Sequence, residues 1–227
     1  MKIICLANSW KHGDLCFAGI LDKERETWVR PLGMGTDGAI PERVQALDRG
    51  GIPKLLDVID VPIGDPLPSP GQPENRQLLG GQWQIVRRLK PAETLLLLQD
   101  QSLSPETPLW GGAGSSLTAA EAHRARYSLT LIQPGSVRWE KKWSERTRGK
   151  IDVRAHFSHA GVRYNLSVTD PAWHDRMLDR RLPIGTFDHP DPTAAVFLTL
   201  SLGSEWRGRH WMLVAGVFSL EGRRRTA

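Results

Sequence analysis

KIICLANSWKHGDLCFAGILDKERETWVRPL, residues 2–32, decides how the rest of the chain is read. Three runs with strand character follow one another in it: Ile3–Ala7, Leu15–Ile20 and Thr27–Leu32, the last rich in β-branched and aromatic residues. His12-Gly13-Asp14 separates the first pair and Asp22-Lys23-Glu24-Arg25 the second, breaks of hairpin length and turn chemistry. Ile3, Cys5 and Ala7 alternate with Ile4 and Leu6, so the first strand is apolar on both faces and is expected to be buried on both. Its end carries a polar set, Asn8, Ser9, Trp10, Lys11 and His12, where a rigid scaffold presents binding groups.

Beyond Leu32 come a glycine-rich stretch at Gly33–Gly38, a short helical pattern at Pro41–Leu47 and a strand pattern at Leu55–Ile63. Pro66–Asn75 holds too many prolines for a ladder and is expected to be an extended connection, followed by a strand at Gln82–Leu89. Pro91–Asp100 opens on proline and carries a leucine cluster, as a short helix does. Five strands with a short helical element between the third and fourth is the order of a five-stranded OB barrel. The second half repeats it, with strands at Tyr127–Gln133, Lys150–Ser158 and Arg163–Val168, a helix opened by Asp170-Pro171 and running to about Arg181, and strands at Thr193–Leu202 and Arg209–Leu220. The expected organisation is a barrel over 1–100, a Ser/Pro/Gly-rich linker over 101–118, a second barrel over 119–221 and a disordered basic tail at 222–227.

Several short blocks, in order, also carry a resemblance: CLANSWKHG (Cys5–Gly13), LCFAGI, WVRP and QPEN (Gln72–Asn75) in the first half, then YNLSVTDP (Tyr164–Pro171) and LTLSLGSEWRGRHWMLVAGVF (Leu198–Phe218). Together they resemble the dual OB domain-containing protein family over almost the whole chain. The resemblance implies a mainly β fold of two tandem OB-like barrels; it does not specify a ligand.

The chain has 227 residues, enough for two domains of roughly 100 that each bury a core. The longest apolar run, around Leu95–Leu98, is too short for a membrane span, and Ile3–Ala7 lacks the length and cleavage site of a signal peptide, so the cytoplasm is the expected location. Cys5 and Cys16 lie on strands that the hairpin pairs, and in that compartment they are expected to be reduced. The net charge of +5 hints at an anionic partner, but Arg223, Arg224 and Arg225 supply three of those charges. The local distribution says more: Val137–Arg154 holds seven Lys/Arg against three acids, with Trp139 and Trp143 between them.

Motifs for other chemistry are weak. Gly33–Gly38 formally matches G-x-G-x-x-G, with Asp57 and Asp60 further on, but Arg30-Pro31 precedes it and no further βαβ units follow, so a plain glycine-rich loop is the reading preferred. His156 and His159 fall on opposite faces of a strand, and the Asp188–Asp191 and Asp170–Asp175 groups sit where loops and caps carry such residues. There is no CxxC, nucleophile elbow or Walker sequence, so no cofactor, metal or catalytic residue is assigned.

A binding module rather than an enzyme is therefore expected, with nucleic acid as partner and single strands favoured over duplex. In the first barrel the candidates are Asn8, Ser9 and the constellation of Lys11 with Trp28 and Arg30, a cation, a ring and a guanidinium on one rim. In the second they are Trp139, Lys141, Lys142 and Trp143 as a basic aromatic arm that continues to Arg146 and Arg148, with Arg163 and Tyr164 beside it. Gln72, Glu74 and Asn75 are expected either to hold the proline-rich connection or to touch ligand. The alternatives are an enzyme or sensor for a nucleotide-like small molecule at Asn8–Lys11 and Gln72–Asn75, and a protein-interaction adaptor using exposed tryptophans.

Overall fold

The opening hairpin forms as its turn chemistry demands. In the structure, a computed structural model describing residues 1–111, 114–145 and 147–221, β1 (Lys2–Lys11) pairs antiparallel with β2 (Asp14–Leu21), leaving His12-Gly13 as a two-residue loop. Both loop residues have positive φ, 52° and 87°, the geometry whose twist matches that of the flanking strands. Ala160-Gly161 and Arg207-Gly208 turn their hairpins the same way, each with glycine second. Arg146 and the expected tail at 222–227 lie outside the described residues.

β1 lies inside a seven-stranded sheet. With β3 (Trp28–Leu32), β4 (Asp57–Asp60), β5 (Ile63–Pro66), β6 (Asn75–Leu78) and β7 (Gln84–Arg88), the order is β5-β6-β3-β2-β1-β4-β7, with β1 between β2 and β4. Residues 3–9 of β1 are all buried, as its two apolar faces require. β6 begins at Asn75, the last residue of the segment expected to be only a connection, and pairs parallel with β3, Asn75 opposite Arg30. The last of the prolines there is Pro73, so the backbone from Asn75 onward has every donor a ladder needs. Between β3 and β4 the chain makes two short 3-10 turns, Thr36–Gly38 and Glu42–Val44, in place of an α-helix.

Helix α1 (Pro91–Gln101) follows, with proline in its first turn. The second half runs β8 (Ser116–Thr118), α2 (Ala119–His123), β9 (Leu129–Ile132), β10 (Val137–Trp143), β11 (Ile151–His159), β12 (Val162–Val168), α3 (Pro171–Met177), β13 (Gly185–Asp188), β14 (Ala195–Trp206) and β15 (Arg209–Leu220), and its strands form an eight-stranded sheet. Its order is β13-β10-β11-β12-β15-β14-β9, with β8 on β15. Asp170 caps α3 as expected, accepting from the Trp173 amide at 3.2 Å, but the helix stops at Met177, and Asp179 then accepts from the backbone and guanidinium of Arg181. The basic stretch after Val137 is a β-hairpin, and its alternation puts Val137, Trp139 and Lys141 inward.

The halves meet through a β-bulge. Between Cys5 and Ala7 the β1–β2 register slips, and the Leu6 carbonyl turns toward the second half, where Thr199 Oγ1 donates to it at 2.7 Å. A Cβ on Gly216 would stand 2.4 Å from the same oxygen, so only glycine lets β15 approach β1 this closely. Around this point Ile4, Leu6 and Ile20 share one apolar cluster with Leu97 and Leu98 of α1 and with Leu131, Phe197 and Phe218 of the second half. The hairpin register keeps the cysteines apart, Cys5 opposite Gly19 and Cys16 opposite Ser9, and both are free thiols. Burial pushes the Cys5 thiol well above its ordinary range.

Candidate functional site

The polar end of β1 projects into the joint between the halves. Trp10 N donates to Thr169 O at 2.9 Å, which fixes the strand end against the segment following β12. Beyond it lies a cavity of about 400 Å³ lined from both halves. Lys11 and Arg30 come from the first sheet, Arg154 from β11, and Trp206 and Trp211 from the β14–β15 hairpin.

All three cations are held by neutral groups. Lys11 Nζ donates to Asp37 O at 2.6 Å and to Ser204 Oγ at 3.2 Å. Arg30 is 1% exposed; Nη2 donates to Ser201 Oγ at 3.1 Å, Nη1 reaches Asn75 Oδ1 at 3.5 Å, and the buried Nε has no partner among the described residues. Arg154 donates through Nη1 to Ser167 Oγ at 2.9 Å and through Nη2 to Asn165 O at 2.7 Å. None of the three meets a carboxylate within ion-pair distance among the described residues; Lys11 and Arg154 keep part of their surface in solvent, but Arg30 is buried, and burying a cation without a counter-charge is costly. Burial is the main cause that lowers the Lys11 pKa; Arg30 adds to it, while Cys16 and Asp37 oppose it. Of the acids on the cavity wall, Asp37 is occupied by His12 Nε2 at 2.8 Å, and Glu205 is exposed on the hairpin.

Gln72 and Asn75 buttress this arrangement. Gln72 Nε2 donates to Leu202 O at 3.1 Å, and Asn75 Nδ2 donates to Gln72 Oε1 and Ser69 Oγ. The chain of bonds runs from Leu202 through Gln72 and Asn75 to Arg30, and it fixes the guanidinium from behind. Glu74 points elsewhere, onto Ser128.

A family model described as dual OB-containing domain matches residues 1–217. The chain belongs to that family. Its two sheets, one of them a half-barrel, are the tandem OB-type units of this dual OB-containing domain. No curated protein and no solved structure matches the chain.

Against the sequence expectation, the dual OB-containing domain brings some residues together and separates others. Ser9, Lys11, Arg30 and Gln72 line one cavity. Trp28 is not on that rim: it is partly buried, against Ala7, Ala18, Leu129 and Ala215. Asn8 faces away and donates to Pro53 O at 3.0 Å. The expected basic aromatic arm does not form one surface, because strand alternation sends every second residue inward. Trp139 is a core residue with no exposed surface, Tyr164 is buried with its ring on Phe157 at 5.4 Å, and Lys141 Nζ is buried between the Asp179 and Leu182 carbonyls. Lys142, Trp143 and Arg163 remain outside, Trp143 at 62% exposure and Lys142 near Glu145.

Trp206, Trp211 and Arg154 were missed as site residues. Trp211 is exposed between buried His210 and Met212, so period-two alternation puts it on the outer face of β15. That signal was present in the sequence, but nothing local says which outer face borders the cavity. The indoles of Trp206 and Trp211 stand 6.4 Å apart at 58°, with the Arg207 guanidinium 4.5 Å over Trp206.

Proposed function

We propose that this dual OB-containing domain is a nucleic-acid-binding module that takes a single strand at the cleft between its halves. The observation that carries the reading is the set of Lys11, Arg30 and Arg154, each held by neutral partners alone, beside the partly exposed rings of Trp10, Trp206 and Trp211. A buried Arg30 flanked by the half-buried Lys11 and Arg154 favours an anion, and flat rings at the rim offer stacking for bases at about 1–3 kcal/mol each. Exposed Trp143 on the β10–β11 hairpin, with Lys142 beside it paired to Glu145, supplies a further ring for stacking. The OB architecture is compatible with this ligand class and with others. Two free cysteines fit the reducing interior of the cell, and no described helix is long and apolar enough to cross a membrane.

The test is a titration of tryptophan fluorescence with short oligonucleotides at two salt concentrations. Phosphate contacts make log K fall linearly with log salt. Absence of binding at low ionic strength rejects the proposal. A second reading, a nucleotide-like small molecule, draws on the size of the cavity, which is at the lower end of the ~300–1,000 Å³ usual for small-ligand sites.

A further inference from the structure

We infer that the inner cavity recognises a terminal phosphate monoester, so that the protein engages the phosphorylated end of a strand rather than its middle. The inference rests on the nucleic-acid reading and sharpens it. Arg30 lies on the wall of the cavity with 1% of its surface exposed. An internal phosphodiester reaching so enclosed a wall would have to lead the strand in and out again past it. A chain end enters with one nucleotide and has nothing beyond the phosphate.

Charge points the same way. An internal phosphodiester carries one negative charge, whereas a terminal phosphate at neutral pH carries about 1.5–2 and three strong acceptor oxygens. The cavity wall carries the Arg30 guanidinium, whose charge no carboxylate offsets within ion-pair distance among the described residues. It also offers the ammonium of Lys11, two of whose three donors are used, and the hydroxyls of Ser9 and Ser201. Gln72 and Asn75 hold the guanidinium in place before any ligand arrives, which lowers the ordering cost of binding. The partly exposed indoles of Trp10, Trp206 and Trp211 then meet the bases that follow the terminal one.

The experiment compares one short single-stranded sequence in three forms, 5′-phosphorylated, 3′-phosphorylated and with both ends as hydroxyls, each titrated into the full chain. A nucleoside monophosphate serves as competitor. The expected result is that one phosphorylated end binds roughly 10-fold or more tighter than the hydroxyl form, and that the monophosphate displaces it. In Lys11→Met, a change at a strand end that spares the Arg30 network, the ratio of phosphorylated to hydroxyl affinity falls to about one. Equal affinity of all three forms overturns the inference and leaves the nucleic-acid reading standing. Binding of the monophosphate with no binding of any oligonucleotide overturns both.

Discussion

Glu74 holds Ser128 by two hydrogen bonds at once: Oε1 accepts from the Ser128 amide at 2.6 Å and Oε2 from its hydroxyl at 2.7 Å. Oε1 also takes the Leu129 amide at 3.2 Å. One carboxylate from the proline-rich segment thus satisfies the start of β9, which would otherwise enter the second sheet with unpaired donors. Glu74→Ala strands those amides and is expected to cost about 2–3 kcal/mol in urea denaturation. Glu74→Gln keeps one acceptor oxygen and should lose less. Ligand affinity corrected for the folded fraction should be unchanged in both, because Glu74 does not border the cavity.

Gly216 faces the Leu6 carbonyl at the bulge. In Gly216→Ala the new methyl would sit 2.4 Å from that oxygen, and backbone on both sides leaves little room to yield. The expected loss is roughly 1–3 kcal/mol or more, read as a lower thermal midpoint. Thr199→Val, which removes the donor but keeps the shape, should cost about 1–3 kcal/mol through the unsatisfied Leu6 oxygen.

Arg30 separates stability from binding. Arg30→Met removes a buried cation that has no carboxylate partner among the described residues, so the unfolding midpoint of the free protein is expected not to fall. Oligonucleotide affinity should drop about 10-fold or more, and the slope of log K against log salt should shrink by about one. A variant that loses stability and keeps its affinity contradicts the proposed role.

Two tryptophans should divide the same way. Trp139→Ala empties the core of the second sheet and is expected to cost about 3–5 kcal/mol of stability. Trp211→Ala, on the cavity side of β15, should leave the midpoint nearly unchanged and weaken oligonucleotide binding by about 1–3 kcal/mol.

His189 gives a pH dependence. Its Nδ1 accepts from Trp139 Nε1 at 3.0 Å, Nε2 pairs with Ser219 Oγ at 3.0 Å, and the ring stacks on Trp173. Burial is the main cause that lowers its pKa from 6.5, with Arg176 adding to it and Asp191 opposing. The unfolded chain therefore takes up a proton at a higher pH than the folded one, and stability present above 6.5 is lost as the pH falls below it. The urea midpoint should be lower at about pH 5.5 than at about pH 7.5, and His189→Gln should flatten that difference. Asp170 runs the other way in a more acidic window. Burial raises its pKa above 3.8, so its contribution is lost as the pH rises through that window.

Much of the fold was legible because its signals are local. The His12-Gly13 turn, the doubly apolar β1, the Asp170-Pro171 cap and the proline-led α1 were each readable within ten residues or so. β6 was hidden because the prolines before it obscured a four-residue ladder whose partner is more than forty residues earlier. β13 is as short and pairs only on the sheet edge with β10. The aromatic arm looked exposed because Trp139 and Trp143 sit among lysines. Yet they occupy the same strand four residues apart, one in the core and the other on the surface beyond the strand's buried part.

Taken alone, the order of amino acids determined a chain of short strands, two-residue turns and capped helices in two OB-like sets, together with the family. It also marked the end of β1 as a place for polar chemistry. Which cations meet was decided only in three dimensions: Arg30 reaches Ser201 across 171 positions and Lys11 reaches Ser204 across 193. The reason is physical. Periodicity and turn chemistry act between near neighbours, whereas a cavity between two halves exists only after one bulged carbonyl and one bare glycine have let β1 and β15 come together.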